Sequence, residues 1–288
     1  MTRFFALLAA LLLAACTHVP PSPHASADPI RAMTFNIRLD IASDGANAWP
    51  HRRQMVAALI RHEAPDLLGT QEVIVHQKEY LEAQFPDYTF VGVGRDDGEK
   101  AGEFSPLAWR NDRFEMLDSG TFWLSPTPEV PSKGWDAALP RVATWAVLRD
   151  LRSGRMIRVL NTHFDHIGTQ ARANAARMIA EWAAEGDMPA IVMGDFNVPT
   201  GSESYKVLAT TAQSGLTDAR AVSRTPPYGP PGTFTGFDIT TAPDTPIDHI
   251  FVTEDFTVDD YAVVTQHWGG RLPSDHYPVV ADLELEVR

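Results

Sequence analysis

Short apolar runs that stop abruptly at polar residues recur along the chain. The clearest lies in residues 189–199 (PAIVMGDFNVP), where an apolar run ends at a glycine and is followed by Asp195 and Asn197. Residues 30–37 (IRAMTFNI) and 66–72 (DLLGTQE) have a similar form. Each run has the length of a buried strand, and the glycine and polar residues that follow are typical of a turn. The pattern predicts strands that carry polar side chains at their carboxyl ends.

Helical patterns separate these runs in the first two thirds of the chain. Pro50 opens a predicted helix with Met55, Leu59 and His62 on one stripe, and an Ala-rich helix over residues 169–185 ends before a glycine. The runs VATWAVLRD and RMIRVLNTH predict a hairpin across a Ser-Gly turn. The last part of the chain is rich in strands. This order predicts an α/β fold with two β-sheets packed face to face and helices outside.

Six polar groups stand at predicted strand ends, and all consist of Asn, Asp, Glu or His. They are Asn36, Glu72, His163, Asp195 with Asn197, Asp248, and Asp275 with His276. One or two such groups could be Asx-turns, but six in one chain favour a shared site. Asn, Asp and Glu offer the hard oxygen ligands that Mg²⁺ prefers, and Mg²⁺ takes only one or two carboxylates and keeps waters. The histidines and Asp195 are candidate proton-transfer groups.

Charge and composition narrow the range of functions. The formal net charge is −13, and removal of Arg3 with a signal peptide would make it −14. This acidic balance disfavours tight, sequence-independent binding of long nucleic acids, which depends on many Lys and Arg contacts. It is compatible with metal-assisted attack on a single phosphate. Residues 30–288 contain no second linker, repeat or charge block, so they are expected to form one domain with a large core.

The first 29 residues indicate export and membrane attachment. Residues 4–15 form an apolar run that is too short for a bilayer, which needs ~20 residues, but is typical of a signal peptide. The sequence LAAC resembles the lipobox of bacterial lipoproteins, in which the cysteine is lipidated and becomes the first residue. Cys16 is the only cysteine, so no disulfide framework competes for it, although an ordinary signal with a chance cysteine is the alternative. We expect residues 1–15 to be a signal peptide, residues 16–29 a lipidated tether, and the location the cell envelope, at the outer membrane facing the periplasm.

Seven segments in order resemble the endonuclease/exonuclease/phosphatase superfamily, which has the deoxyribonuclease I-like fold. They are TFNIR, GTQE, NTHFDH, GDFN, TFTGF, IDHIF and SDHYPV, spread over nearly all of residues 30–288. Two further segments, GWDAALPR and FWLS, resemble bacterial members related to the carbon-catabolite-repressor-type deadenylases. The resemblance implies a four-layer α/β sandwich of two mixed sheets flanked by helices. It also implies a divalent-metal-dependent phosphoester hydrolase, a phosphodiesterase, nuclease or phosphatase.

The resemblance implies a role for each matched residue. The metal, Mg²⁺ or Mn²⁺, would be held by Asn36, Glu72 and Asp275; Asp195 would orient or deprotonate the attacking water; Asn197 and His163 would contact the phosphate; and Asp248 would orient the catalytic His276. The phosphate-binding tyrosine of abasic-site nucleases has no clear match, which disfavours that substrate. Outside the resemblance, Arg141 is equally suited to phosphate contact and to structural pairing. Residues 165–166 favour a turn, His249 is expected to be packed, and Asp218 is expected to cap local backbone.

Three alternatives remain at the level of sequence. A calcineurin-like phosphoesterase requires an Asp-x-His near the first strand and a Gly-Asn-His after the GD segment, and the chain has neither. A non-catalytic envelope binding protein would have lost a ligand or a histidine, whereas every matched position is filled. A 3′–5′ exoribonuclease-like activity, as in the deadenylase branch, is the third. The expected partners are a nucleotide, nucleic acid, phospholipid or phosphosugar substrate and the membrane, with the protein itself a monomer.

Overall fold

The computed structural model describes residues 29–210, 214–241 and 243–286. The predicted signal peptide, Cys16 and all of the tether before Pro29 lie outside the described residues. The strands are β1 Ile30–Asn36, β2 Leu67–Gln71, β3 Tyr88–Val91, β4 Leu107–Arg110, β5 Phe114–Trp123, β6 Val142–Asp150, β7 Met156–His163, β8 Ala190–Asp195, β9 Leu216–Asp218, β10 Asp248–Thr253, β11 Phe256–Val263 and β12 Val279–Leu285. The helices are α1 Trp49–Glu63, α2 Val75–Gln84, α3 Thr169–Ala184, α4 Glu203–Ala209, a short helix Ala219–Val222 and a 3₁₀ helix Ala42–Asn47. Within these ranges no helix is long and apolar enough to cross a bilayer.

The strands form two six-stranded sheets. One has the order β11-β12-β1-β2-β4-β3 and the other the order β5-β6-β7-β8-β10-β9. In each sheet one central pair is parallel, β1 with β2 and β7 with β8, and the other neighbours run antiparallel. The expected α/β sandwich of two mixed sheets is confirmed, and so is the hairpin between β6 and β7.

The core has three apolar layers, which explains why the central strands are apolar almost throughout. Along β1, Ile30 and Ala32 pack between the two sheets, whereas Met33 and Phe35 pack against α1 and α2. A third cluster joins the outer face of the other sheet to α3 and α4. Because successive side chains of a strand point to opposite faces, a strand that is covered on both faces needs apolar residues at nearly every position. The result is the expected four-layer sandwich.

The predicted apolar stripe of α1 was wrong at two of its three positions. Met55 is half-buried and His62 is exposed, whereas Val56 and Ile60 are fully buried on the face that packs on the sheet. That face begins with Arg52, which is completely buried. An arginine in a helical pattern is normally assigned to the solvent-exposed face. Because Arg52 is buried, the face of α1 that packs on the sheet was assigned incorrectly.

A polar contact joins the two sheets just below the edge where β1, β2, β7 and β8 end. Gln71 donates a hydrogen bond from Nε2 to Asn161 Oδ1 at 2.6 Å. Asn161 in turn donates from Nδ2 to the carbonyl oxygens of Thr70 and Pro106, both at 2.8 Å. A side chain at Gly69 would place its Cβ only 2.6 Å from Asn161 Oδ1, so glycine is required for this close approach. The link fixes the strand ends of one sheet relative to those of the other.

Candidate active site

The strand ends of both sheets meet around one cavity of ≈ 570 Å³. Seven of the predicted site residues line it: Glu72, Arg141, His163, Asp195, Asn197, Asp275 and His276. Asn36 and Asp248 lie directly behind, each hydrogen-bonded to a residue that lines the cavity. The fold therefore brings together all of the predicted site residues within the described part of the chain, and only Cys16 lies outside it.

Asn36 and Glu72 end the first parallel strand pair. Asn36 donates from Nδ2 to Glu72 Oε1 at 3.1 Å and to Asp195 Oδ2 at 2.9 Å. Burial, together with the charge of Glu72, raises the pKa of Asp275. Several carboxylates crowded into a buried site favour a cation among them, and their hard oxygens suit Mg²⁺. The donor set therefore fits the divalent metal that the sequence predicts at Asn36, Glu72 and Asp275.

Arg38 lies over the same carboxylates, and the sequence analysis missed it. Its guanidinium pairs with both oxygens of Asp44, each at 3.0 Å. It also lies 3.7 Å from Glu72 Oε2 and 3.8 Å from Asp275 Oδ2. Arg38 therefore brings a positive charge to the predicted metal ligands. The only sequence signal for it is its place in the TFNIR segment.

The site also concentrates unusual backbone conformations. Arg38, Glu72 and Asn197 have φ values of 56°, 58° and 50°, which lie in the left-handed region. Non-glycine residues adopt this region rarely, and such strain persists only where the surrounding structure imposes it. The three residues stand directly after strand ends, so the turns aim their side chains into the cavity rather than along the sheet.

His276 and Asp248 form a buried hydrogen-bonded pair. His276 Nδ1 lies 2.8 Å from Asp248 Oδ2, and the Thr233 hydroxyl donates to the same oxygen at 2.5 Å. Burial alone would lower the pKa of His276, but the charge and hydrogen bond of Asp248 raise the pKa to about 10. The imidazole is therefore protonated at neutral pH and presents Nε2 towards Asp195, 3.8 Å away.

Asp195 is buried at the centre of the site. Burial first, and the nearby charge of Asp248 second, raise the pKa of Asp195 to about 7, against the opposing effects of His276 and of the Asn36 amide. Asp195, Asp248 and His276 place possible ligand atoms within 4.8 Å of one another. Within this trio, Asp248 Oδ2 and His276 Nδ1 already bind each other. A carboxyl group with a pKa near neutrality is suited to act as a general base.

His163 ends β7, and Asn197 lies two residues after the end of β8. Asn197 Nδ2 lies 3.1 Å from His163 Nε2 and donates to the Phe164 carbonyl oxygen at 3.1 Å. Burial, with the charges of Arg141 and Arg95, lowers the pKa of His163 well below its usual value. His163 is therefore neutral where His276 is charged, so the two histidines cannot have the same role.

A basic corner lies beside His163. Arg141 Nη2 lies 3.0 Å from His166 Nδ1, and Arg95 Nη2 lies 2.7 Å from Glu103 Oε1. The sequence analysis missed Arg95 and Glu103, which lie in a charged loop, and read residues 165–166 as a turn. Asp165 does accept backbone hydrogen bonds from the turn, but His166 lines the cavity.

Arg52 holds the loops beneath the predicted metal ligands. It is completely buried, and all of its acceptors are backbone carbonyl oxygens. They belong to Asn47, Ile37, Pro273, Arg38 and Leu39. The guanidinium thereby joins the turn after Asn36 to the segment before Asp275, so two strand ends of one sheet are fixed through a single side chain.

Apolar side chains form the rim of the cavity. Phe234 is 50% exposed, and its ring centroid lies 5.1 Å from that of His276. Leu139, 39% exposed, also lines the cavity. Exposed apolar groups beside a charged centre provide a contact surface for the non-reacting part of a substrate.

Two packing expectations are confirmed nearby. His249 is buried, with Nε2 3.1 Å from the Val198 carbonyl oxygen. Asp218 caps the short helix that follows it by accepting from Arg220 N, and it also accepts from the Tyr205 hydroxyl. Neither residue faces the cavity.

Comparison with known proteins places this geometry in context. The model of the endonuclease/exonuclease/phosphatase family matches residues 33–276. An endonuclease/exonuclease/phosphatase family protein from Bacteroides thetaiotaomicron superposes with a TM-score of 0.85 and 36% identity, covering 90% of this chain and 98% of that one. A mannosyl-6-phosphatase from Bacteroides thetaiotaomicron VPI-5482 superposes with a TM-score of 0.83 and 36% identity, covering 88% and 99%.

Among curated relatives, Nocturnin from Drosophila melanogaster is 23% identical in an alignment that covers 90% of this chain. The chain spans 47% of Nocturnin, and it spans less than two thirds of the other curated relatives it matches, 59% and 27%.

Proposed function

This chain belongs to the endonuclease/exonuclease/phosphatase family, and we propose that it is a divalent-metal-dependent hydrolase of phosphoesters. The observation that carries the proposal is the meeting of two chemically different groups at one cavity. Oxygen ligands from one sheet, Glu72 and Asp275, face a base and a charged imidazole, Asp195 and His276. A phosphoester attacked by water needs both, because negative charge accumulates on the phosphoryl oxygens while a proton leaves the water.

Asn36, Glu72 and Asp275 would hold the metal, by their fit to a hard divalent ion. When bound, Mg²⁺ or Mn²⁺ would neutralise charge on the phosphoryl and leaving oxygens. Arg52 fixes the segments that carry Asn36 and Asp275, so the spacing of these two ligands is set before the metal arrives. Preorganised ligands need little rearrangement on binding, which favours affinity.

The side chains at the strand ends of the other sheet, together with His276 next to Asp275, would manage the water and its proton. Asp195 Oδ2 accepts the proton of the attacking water, because its raised pKa makes it a stronger base than an exposed carboxylate. The protonated His276 donates from Nε2 to a phosphoryl oxygen or passes a proton to the leaving oxygen, while Asp248 holds its ring through Nδ1. Asn197 and the neutral His163 offer further contacts to the phosphate.

We also propose a substrate class: phosphorylated sugars or similarly small phosphoesters. The mannosyl-6-phosphatase that shares 36% identity over 88% of this chain supports it. So do the exposed ring of Phe234 and the neighbouring Leu139, since the apolar face of a sugar ring packs well on such groups. An export signal with a lipid on Cys16 would place the enzyme in the cell envelope, where sugar phosphates are more plausible than messenger tails.

Hydrolysis of a defined panel would test the proposal. Mannose 6-phosphate, a dinucleotide, single-stranded RNA and a glycerophosphodiester are incubated with the protein in Mg²⁺, in Mn²⁺ and in EDTA. We expect metal-dependent release of phosphate from mannose 6-phosphate at the highest kcat/KM. Hydrolysis that persists in EDTA would overturn the metal assignment, and preferential cleavage of RNA would favour the exoribonuclease alternative.

Attachment at Cys16 is a separate proposal with its own test. Mass spectrometry of the mature N-terminus should show a lipidated Cys16 and no residues 1–15. An unmodified cysteine, or cleavage at another position, would exclude the anchor without bearing on the catalytic proposal.

A further inference from the structure

Arg141 is a buried cation whose hydrogen-bonding capacity is only partly used. It stands immediately before β6, is 5% exposed, and lines the cavity. Nη2 lies 3.0 Å from His166 Nδ1, and Nε lies 3.5 Å from Asp165 Oδ2. Among the described residues, neither Nε nor Nη1 has a hydrogen-bond acceptor. Leaving a buried donor without an acceptor costs about 1–3 kcal/mol, and more for a charged group.

The anionic groups near Arg141 are already engaged. Asp165 accepts from the backbone N–H groups of Ile167, Gly168 and Ala138. Glu103 pairs through Oε1 with Arg95 Nη2 at 2.7 Å. Arg95, which lies behind, has two further guanidinium nitrogens without acceptors among the described residues. The corner therefore holds more hydrogen-bond donors than its own carboxylates satisfy.

The opposite wall of the cavity has the reverse character. Asp195, Glu72 and Asp275 are carboxylates, with Arg38 and the protonated His276 among them. A phosphoryl group bound between the two walls would meet the base and predicted metal ligands on one side. On the other side, an oxygen would approach the guanidinium of Arg141.

We infer that Arg141, flanked by His166 and backed by Arg95, forms an anion subsite for the additional charged oxygen of a terminal phosphate, so that the enzyme selects phosphate monoesters over diesters. The inference rests on the proposed function. A monoester has three non-bridging oxygens and a charge of about −1.5 to −2 at pH 7, whereas a diester has two such oxygens and one charge. A guanidinium fork recognises a charged, multidentate oxygen group better than a neutral ester oxygen. An ester oxygen in this corner would leave the buried donors poorly satisfied.

The reaction balances for a monoester. The oxygen of water forms a bond to phosphorus as the bond between phosphorus and the leaving oxygen breaks. One proton of the water passes to Asp195, and the leaving oxygen gains a proton from His276 or from solvent. The products are an alcohol and inorganic phosphate, and the latter carries the oxygens that Arg141 binds.

A matched pair of substrates provides the test. p-Nitrophenyl phosphate and methyl p-nitrophenyl phosphate have the same leaving group and differ only in the charged oxygen. Wild-type protein with Mn²⁺ should prefer the monoester. Arg141→Met should lower kcat/KM for the monoester by about 30-fold or more, as for the loss of one partner of a buried charge pair, and change the diester rate by less than about threefold. Arg149→Met removes an arginine from the same strand where it is 46% exposed on its side chain, and it should change neither rate.

Binding of inorganic phosphate gives a readout that is independent of turnover. Isothermal titration of the metal-loaded protein with phosphate should show at least tenfold weaker binding for Arg141→Met, with Arg141→Lys intermediate because it keeps the charge but not the fork. Equal losses on both esters, or unchanged phosphate binding, would overturn the subsite. If Arg141→Met fails to fold, the test uses Arg141→Lys, and the ratio of kcat/KM for the monoester to kcat/KM for the diester decides. If wild-type protein hydrolyses neither ester, the proposed function fails, and the phosphate titration still decides the subsite.

Discussion

The strand pairs β1–β2 and β7–β8 are built alike and end in different chemistry. Each is a parallel pair joined through a helix, α1 in one sheet and α3 in the other. The first pair ends in Asn36 and Glu72, beside the guanidinium of Arg38. The second ends in His163 and Asp195, aligned in register across the pair. The same topology thus delivers the proposed metal ligands Asn36 and Glu72 on one side of the cavity, and the proposed base Asp195 with His163 on the other.

The difference shows how one repeated arrangement of strands and helix can carry two kinds of side chain with different chemistry. In both sheets the parallel arrangement of two neighbouring strands brings the side chains at their carboxyl ends close together. Their surroundings decide what these side chains do: Asp195 is buried against Asp248, which raises its pKa to about 7. The comparison predicts that the two pairs respond differently to substitution, in metal binding on one side and in proton transfer on the other.

The largest effect is expected at Asp195 and His276. Asp195→Asn and His276→Ala should each lower kcat by about 10²–10⁴-fold at saturating Mn²⁺, the usual range for general acid–base groups. The losses should be non-additive, since the two groups act in one step. Metal affinity, measured by isothermal titration, should change little. A double variant whose loss equals the product of the two single losses would show that the residues act independently.

The next largest effect tests the first strand pair. Glu72→Gln should weaken Mn²⁺ binding by at least about tenfold, the lower limit seen for groups around a metal ligand, and activity should partly recover at high Mn²⁺. Titration of activity against metal concentration measures the shift. Glu181→Gln, which removes the same charge from the exposed face of α3, is the control. Normal activity of Glu72→Gln at limiting metal would remove Glu72 from the ligand set.

A smaller loss with a characteristic pH shift is expected for Asp248→Asn. Wild-type kcat should rise with pH as Asp195 loses its proton near 7 and fall as His276 loses its proton near 10. The Asp248 charge raises the pKa values of Asp195 and His276, so its removal should lower both. The bell-shaped plot of kcat against pH should therefore move to lower pH. We expect a loss at the optimum of about tenfold, below the range of the acid–base groups themselves. A plot of kcat against pH that has a lower maximum at an unchanged pH would contradict the assigned pairing of Asp248 with His276.

The smallest effect is expected for Arg38→Met, which should strengthen metal binding and lower kcat. Arg38→Met removes a positive charge 3.7 Å from Glu72 and 3.8 Å from Asp275. Mn²⁺ should bind about two- to fivefold more tightly, as expected for a partly exposed ion pair worth up to ~1 kcal/mol, while kcat falls because a cation beside the phosphate is lost. Arg177→Met on the surface of α3 controls for net charge. If metal binding weakens instead, Arg38 supports the loop rather than competing with the metal.

Much of the fold and of the site's position could be predicted because both depend on strand ends. An apolar run that stops at a polar residue marks a strand end whatever surrounds it, so Asn36, Glu72 and Asp195 stood out. Arg38 and Arg95 did not, because an arginine in a loop is ordinary until its acceptors are known. Arg52 was missed for the opposite reason: it lies on a helix face that the pattern assigned to solvent. The residues around this site that the sequence concealed are therefore mainly arginines, Arg38, Arg52 and Arg95, together with the carboxylate Glu103.

The direction of β1 has a consequence for where the enzyme finds its substrate. The strand runs from Ile30, next to the Pro29 carbonyl that Arg113 binds, to Asn36 at the cavity. Seven residues of strand separate the two by roughly 20 Å, so the chain enters the domain at the end of β1 that is remote from the cavity. If Cys16 is lipidated, as proposed, the membrane anchor joins the domain through Pro29, at the end of β1 that is remote from the cavity. A hydrolase attached in this way would reach small dissolved phosphoesters more readily than the headgroups of the lipids beneath it.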